Sequence, residues 1–222
     1  MRDIPAFTTQ YGVASLTLRE IPYKQEAYIR FQFSIQPDAL LQECISFCRA
    51  CGAERIYATG DGSLAQFPLH TEIWKMQAAV ESMPRSEACL FPLQTKTLSQ
   101  WLSAYNQRMR AVANAATMTK ADGEKLLDEG SGYFIHKDGV LIGIGKAAGG
   151  RIEAVASLIP GGGKDVVLSL CGVLSEPMAE VEVASENLAA VRLYEKLGFV
   201  KTQVISQWYR VFPAEILSCK NT

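Results

Sequence analysis

The segment at residues 181–199, VEVASENLAAVRLYEKLGF, constrains the fold of this 222-residue chain more than any other. Valine and glutamate alternate at its start, which is typical of a half-buried strand. Asn187 then occupies a helix N-cap position, and apolar residues recur at helical spacing up to Gly198. The segment therefore predicts a strand, a capped helix and a return into a second strand, as in an α/β fold.

The predicted helix carries one apolar stripe with i, i+3, i+4 and i+7 spacing, formed by Ala190, Leu193, Tyr194 and Leu197. Asn187 lies seven residues before Tyr194, so both side chains share one face of the helix. A core helix that packs its tyrosine inside would show the same stripe. The Asn187 amide could likewise cap the helix or contact a ligand.

The whole pattern resembles the last conserved block of the GCN5-related N-acetyltransferases (GNAT family). The residues that carry the resemblance are Asn187, Ala190, Leu193, Tyr194, Lys196, Gly198 and Phe199. The order of predicted strands and helices from residue 89 to residue 211 also fits that family. The resemblance implies an α/β (α+β) fold, in which a mixed central β-sheet is flanked by helices.

The resemblance implies an N-acetyltransferase that moves the acetyl group of acetyl-CoA directly to a primary amine of a small molecule or peptide. Asn187 would contact the pantetheine or diphosphate arm of acetyl-CoA. Tyr194 would act as the general acid, because the leaving thiolate needs a proton donor within hydrogen-bond reach. No metal is required. A catalytically inactive acyl-CoA-binding or sensing protein of the same fold is the alternative.

Glu182 is the candidate general base, because the resemblance extends to a glutamate proposed for that role in the ribosomal-protein alanine acetyltransferase branch. Strand alternation places Glu182 opposite its flanking valines. A carboxylate there could take the proton of the attacking amine, directly or through water. A solvent-facing strand glutamate is the competing interpretation, and Glu153 is a second candidate base.

The family's phosphate-binding loop corresponds here to residues 157–167, SLIPGGGKDVV. This loop departs from the family pattern R/Q-x-x-G-x-G/A: Gly162 takes the R/Q position, and Asp165 and Val167 replace glycines. The implied cofactor-binding residues are Leu158, Ile159, Gly161, Gly162, Gly163, Lys164, Asp165, Val166, Asn187 and Tyr194. The backbone N–H near Leu158 is expected to polarise the thioester carbonyl. Lys164 could supply positive charge. The carboxylate of Asp165 would repel a bound phosphate unless its side chain points away from the loop.

A polar segment at residues 81–88 predicts a boundary between two domains. Residues 87–222 are long enough for one complete GNAT domain. Residues 1–86, with predicted strands at 11–35, a helix at 37–51 and strands at 55–58 and 73–79, are expected to form a degenerate GNAT-like half-domain or cap. A half-fold buries little apolar surface by itself, so we expect it to pack on the C-terminal sheet.

The composition argues against several other functions. A net charge of −1 gives no electrostatic basis for general binding to nucleic acid or membrane. Neither a signal peptide nor a membrane span is recognisable, so we expect a cytoplasmic protein. We also expect it to be a monomer or a homodimer. Cys44, Cys48 and Cys51 match the spacing of an iron–sulfur motif, but they fall inside an amphipathic helix and are predicted to be core residues.

Overall fold

The computed structural model describes residues 2–212, and the chain divides into two compact units. Among the described residues, unit 1 comprises residues 2–72 with 206–212, and unit 2 comprises Ile73–Ile205. Two strands cross this division along the chain, β5 (Leu69–Ala79) and β11 (Val200–Phe212). The domain boundary predicted at residues 86 and 87 stays a prediction, because compactness alone does not define an independently folding domain.

Unit 1 contains a sheet in the order β1-β2-β3-β4-β11. Its further elements are β1 (Ile4–Thr9), β2 (Gly12–Thr17), α1 (Ile21–Lys24), β3 (Glu26–Ser34), α2 (Pro37–Ala50) and β4 (Arg55–Thr59). The strands β1, β2 and β3 form an antiparallel meander, whereas β4 returns parallel to β3 after α2. The two strands predicted at 11–35 are confirmed as β2 and β3, and β1 was missed.

Helix α2 buries one face against this sheet, as its periodicity predicts. Cys44 and Cys48 are fully buried in the same core as Leu40 and Ile29. Burial raises the pKa of each of these two thiols to about 12. The prediction that the helical cysteines are core residues is therefore confirmed for this pair, and Cys51 is partly buried at the edge of the cluster.

Unit 2 contains a mixed sheet in the order β11-β5-β10-β9-β8-β7-β6. Its further elements are β6 (Cys89–Pro92), α3 (Leu98–Met109), α4 (Lys120–Glu129), β7 (Gly132–Lys137), β8 (Val140–Ala148), β9 (Arg151–Ser157), α5 (Gly163–Cys171), β10 (Met178–Ala184) and α6 (Leu188–Lys196). Strands β6 to β9 pair antiparallel, and β10 pairs parallel with β9 and antiparallel with β5.

Two hydrophobic cores surround the sheet of unit 2. One contains Val166 of α5, Val191 of α6 and Val181 of β10. The other contains Trp101 of α3 and Leu126 of α4. The predicted α/β fold, a mixed sheet flanked by helices, is confirmed.

The hairpin between β7 and β8 shows how local sequence fixes this sheet. Asp138 and Gly139 form a two-residue connection, with φ of 51° and 78° respectively. Positive φ at both positions is the type I′ geometry, whose twist matches that of the flanking strands. Asp-Gly is one of the few dipeptides that adopts it readily, so this pair in the sequence predicts a hairpin joining strands at Tyr133–His136 and Val140–Ala147, and the structure confirms it.

Candidate functional site

The parallel strands β9 and β10 separate soon after they begin to pair. Their register includes only Arg151 with Glu180 and Ile152 with Val181. Farther along, β9 stays paired with β8 as far as Ser157, and β10 stays paired with β5 as far as Ala184. The two strands therefore diverge from each other while each remains held on its outer side, which leaves a wedge-shaped opening in the sheet.

Two helices begin at the wide end of this opening. Helix α5 follows β9 after a short loop, and α6 follows β10 with Asn187 as its N-cap. The N–H groups of Gly163, Lys164 and Asp165 form the first turn of α5, where a helix has no carbonyl partners for them. Such N–H groups, together with the helix dipole, favour an anion such as a phosphate.

The glycines of the loop serve different purposes. Gly161 has a φ of 78°, and a Cβ added there would meet nothing within 4 Å, so its backbone is accessible. A Cβ at Gly163 would lie 2.9 Å from Cδ2 of Leu193 on α6. Glycine at position 163 therefore lets the start of α5 approach α6, while Gly161 supplies the left-handed turn before it.

Asn187 caps helix α6. Its Oδ1 accepts a hydrogen bond from the N–H of Ala190 at 3.3 Å, which satisfies one of the unpaired donors of the first turn. Of the two roles considered for the Asn187 amide, capping the helix or contacting a ligand, the structure shows the cap. The amide Nδ2 forms no hydrogen bond to the described residues, so it is the end of this side chain that could still meet a ligand.

Tyr194 lies in the core of unit 2, against Phe199, with 5.4 Å between the ring centroids. Its hydroxyl makes no hydrogen bond to residues 2–212. Burial raises the pKa of Tyr194, and the neighbouring Cys171 raises it further. The phenol therefore stays protonated well above neutral pH. It can donate a proton, and it cannot act as a base in that range.

Glu182 lies on the face of β10 opposite Val181 and Val183, which both belong to the buried core. Its carboxylate accepts a hydrogen bond from the guanidinium of Arg151. The same guanidinium lies 3.3 Å from Glu180, which also pairs with Lys75 at 3.1 Å. Glu182 thus belongs to a partly exposed ladder of alternating charges, on the opposite side of β10 from Tyr194.

Glu153, the second candidate base, lies at a β-bulge. Ala147 pairs with Ile152 and Lys146 with Ala154, so Glu153 is the extra residue of β9. Its carboxylate is 2.7 Å from the amine of Lys146. Both candidate bases are therefore ion-paired carboxylates, and no difference in pairing favours one over the other.

The backbone of Leu158 itself has no free N–H group with which to polarise a carbonyl. Its N–H donates to the carbonyl of Ile142 at 2.8 Å, which extends the pairing of β9 with β8. Its own carbonyl accepts a hydrogen bond from Arg108 of α3 at 2.7 Å. Because both backbone groups of Leu158 are already engaged, the donor expected near Leu158 is not the N–H of Leu158 itself, and a donor at a neighbouring residue stays a prediction.

Asp165 points away from the first turn of α5. Its carboxylate lies 3.1 Å from the amine of Lys137, at the end of β7. The hydrogen bond from Lys137 to Asp165 raises the pKa of the amine. Lys164 is exposed and forms no ion pair with the described residues. The loop thus presents one uncompensated positive charge beside the free N–H groups.

Sequence reasoning missed two residues that support this site, Arg108 and Lys137. Arg108 fastens the end of α3 to the loop, and Lys137 holds Asp165 aside. Neither belongs to a recognisable motif, because each partner lies at least 28 residues away in sequence. Only the sheet and helix packing brings these groups together.

Within residues 2–212, no cluster of three or more histidine, cysteine, aspartate or glutamate side chains could hold a metal ion. His70 stacks on Tyr57 in unit 1, at 4.1 Å between ring centroids. His136, on β7, contacts Phe91 edge-on. No helix among the described residues is both long and apolar enough to cross a bilayer.

No protein-family model matches the sequence, and no curated protein matches it either. Solved structures do match. A functionally unknown conserved protein from Staphylococcus epidermidis aligns with a TM-score of 0.57 at 10% identity, covering 92% of this chain and 91% of the other. A GCN5-related N-acetyltransferase from Sphaerobacter thermophilus aligns with a TM-score of 0.54 at 12% identity, covering 91% and 78%.

A tandem GNAT protein from the clavulanic acid biosynthesis pathway also aligns, with a TM-score of 0.50 at 12% identity. That alignment covers 92% of this chain and 80% of the other, so it includes residues of both units. At such low identities these likenesses bear on the fold alone. They show that the chain has the fold of the GCN5-related N-acetyltransferases.

Proposed function

We propose that this protein is an acetyl-CoA-dependent N-acetyltransferase that transfers the acetyl group directly to a primary amine of a small molecule or peptide. The observation that carries the proposal is the opening between β9 and β10, with the starts of α5 and α6 at its wide end. Tyr194 of α6 supplies a protonated phenol on one side of β10.

The coenzyme would lie along the opening. Its diphosphate would accept hydrogen bonds from the N–H groups of Gly163, Lys164 and Asp165, with Gly161 and Gly162 allowing close approach. The exposed Lys164 would add a positive charge, and Val166 and Ile159 would border the same loop. The Asn187 amide would contact the pantetheine arm with its remaining donor.

The chemistry requires one proton to leave the amine and one to reach the departing sulfur. The amine nitrogen forms a bond to the acetyl carbon as the carbon–sulfur bond breaks. Tyr194 gives its proton to the thiolate, since burial keeps the phenol protonated. Glu182 or Glu153 takes the amine proton, directly or through water. Holding both substrates in one opening supplies much of the acceleration.

The arrangement of the acid and the candidate base Glu182 agrees with this scheme. Tyr194 and Glu182 lie on opposite faces of β10, and an intact sheet would separate them. Because β9 and β10 diverge, a thioester in the opening could be approached by an amine from the Glu182 face. The thiolate would then leave toward the Tyr194 face.

The first experiment is calorimetry with acetyl-CoA, followed by turnover assays of Tyr194→Phe with a panel of amines. We expect Tyr194→Phe to keep the wild-type Kd for acetyl-CoA and to lose about 100-fold in kcat, the size of a general-acid contribution. Tyr23→Phe, at an exposed tyrosine of unit 1, is the matched control. Absence of acetyl-CoA binding by the wild type at millimolar concentration would refute the proposal.

The two candidate bases are distinguished by Glu182→Gln and Glu153→Gln. The substitution at the true base should lower kcat by about 100-fold and remove the acidic limb of the pH–rate profile. The other substitution should change kcat less than threefold. If both variants keep the wild-type profile, neither glutamate is the base, and the amine loses its proton to another group.

We further propose a cytoplasmic protein that acts as a monomer or homodimer, without nucleic-acid or membrane partners. The balanced charge of the chain supports this assignment. Size-exclusion chromatography with light scattering would determine the oligomeric state.

A further inference from the structure

The first turn of α5 contains an acidic residue where the proposed diphosphate would lie. Asp165 is the third residue of this helix, next to the N–H groups of Gly163 and Lys164. A carboxylate at the third position can fold back onto the N–H groups that begin its own helix. In that position Asp165 would repel a phosphate and compete with it for the same donors.

The structure shows how this conflict is avoided. The amine of Lys137 lies 3.1 Å from Oδ2 of Asp165 and 3.9 Å from Oε2 of Glu87. The backbone of Asp165 is held as well, because the hydroxyl of Ser86 donates to its carbonyl at 3.3 Å and accepts a hydrogen bond from Ser169 at 2.9 Å. Asp165 is therefore fixed from two directions.

Lys137 is itself firmly placed. It is the last residue of β7, directly before the tight turn at Asp138 and Gly139. Its side chain is about one-third exposed, and that of Asp165 slightly less. The hairpin thus places the amine of Lys137 next to the carboxylate of Asp165 on α5.

We propose that Lys137 is a positioning residue for coenzyme A, holding the Asp165 carboxylate away from the N–H groups of α5 and neutralising its charge. This inference rests on the proposed function, because it assigns the anion at α5 to the coenzyme diphosphate. With Asp165 compensated, Lys164 is the surplus cation of the loop. The ion pair takes the place of the glycine that the family pattern has at position 165.

A purely structural role would give the same geometry, with the ion pair merely fastening the hairpin to α5. The two roles differ in their dependence on the charge of the ligand. A structural role affects every ligand of the opening alike. An electrostatic role affects only ligands that carry the diphosphate, and it weakens as salt screens the interaction.

The test is calorimetry on the full chain with Lys137→Met, using acetyl-CoA and S-acetylpantetheine as probes. We expect the Kd for acetyl-CoA to rise about 3- to 10-fold at 50 mM NaCl, the size of a partly screened repulsion between charges several ångströms apart. The Kd for S-acetylpantetheine, which lacks the diphosphate, should stay within twofold. At 500 mM NaCl the difference for acetyl-CoA should shrink.

The rescue variant is Lys137→Met combined with Asp165→Asn, which removes the uncompensated charge and should restore the wild-type Kd. Lys125→Met, at an exposed lysine of α4, is the control for loss of one positive charge. Failure of the rescue, or equal weakening for both probes, would show that Lys137 is structural. A wild type that binds no acetyl-CoA would overturn the proposed function together with this inference.

Discussion

Unit 1 and unit 2 each contain a parallel strand–helix–strand crossover, and the two crossovers differ in how far their parallel strands stay paired. In unit 1, β3 and β4 pair in register from Glu26–Arg55 to Arg30–Thr59, along the whole of β4. In unit 2, β9 and β10 pair over two positions and then diverge. The same topology therefore gives a closed sheet in one unit and an open one in the other.

The start of the crossover helix differs in the same way. Helix α5 begins at the third of three successive glycines, whereas α2 begins at Pro37, which has no N–H to offer an anion. Next to β4 in unit 1, the side chain of Phe31 packs so closely on Gly60 that an added Cβ would lie 2.7 Å from it. The crossover of unit 2 thus has an opening with accessible N–H groups beside it, which the proposed coenzyme site requires and which the crossover of unit 1 lacks.

The largest expected difference between the two crossovers is in the number of acetyl-CoA molecules that they bind. Because only the crossover of unit 2 is open, we expect one acetyl-CoA per chain. Titration calorimetry at protein concentrations well above Kd measures this number directly. Two sites per chain would mean that the closed crossover of unit 1 also binds the coenzyme.

The next largest effect concerns the two crossover helices. Leu170→Ala in α5 and Leu41→Ala in α2 each remove a buried leucine, and each should lower the free energy of unfolding by about 2–5 kcal/mol. Only Leu170→Ala should also weaken acetyl-CoA binding by the folded protein. Chemical denaturation gives the first quantity and calorimetry the second. Equal weakening by both variants would contradict the assignment of the site to unit 2.

A smaller effect is expected at the start of α5. Gly163→Val would place a Cβ 2.9 Å from Leu193 and push α5 away from α6. We expect a Kd for acetyl-CoA about 10-fold higher, corresponding to about 1.4 kcal/mol. Gln36→Ala, at the N-cap of α2, is the matched control, since this side chain makes no capping hydrogen bond. An unchanged Kd in Gly163→Val would show that close approach of the helices is unnecessary.

The smallest expected effect is a loss of stability at high pH, which the buried thiols of both cores should share. The folded pKa of Cys48 in unit 1 is about 12 and that of Cys171 in unit 2 about 11, both above the ordinary value of 9.0. Stability from each neutral thiol is therefore complete below pH 9 and is lost as pH rises toward the folded pKa. We expect about 1 kcal/mol per thiol to be lost by pH 10. Unfolding curves of wild type and Cys48→Ala at pH 7.5 and pH 10 would measure this loss as a change in the difference between their free energies of unfolding. The same difference at both pH values would contradict the prediction.

Local sequence predicted the parts of this fold that local forces determine. The Asp138–Gly139 turn, the Asn187 cap and the core face of α2 each depend on residues within a few positions of one another. The same holds for the placement of the loop between β9 and α5. These features could be read because turn geometry, capping and periodicity leave a local signature.

The features that sequence reasoning missed depend on distant partners. Strand β5 begins at Leu69, before the predicted residue 73, and inserts between β10 and β11. A backbone N–H near Leu158 was expected to be available, but the N–H of Leu158 itself donates to the carbonyl of Ile142 on β8. The Arg151 partner of Glu182 lies on the neighbouring strand. Pairing between strands decides each of these contacts, and no local pattern encodes it.

The insertion of β5 has a consequence for how the protein folds during synthesis. In the pairing of Met178–Ala184 with β5, the partners are about 100 residues apart in the chain. Strands that pair over such separations form slowly, because the intervening chain must first be closed into a loop. One wall of the opening, β10, is thus supported by a segment that leaves the ribosome long before it. The site can be completed only after most of the chain has been made.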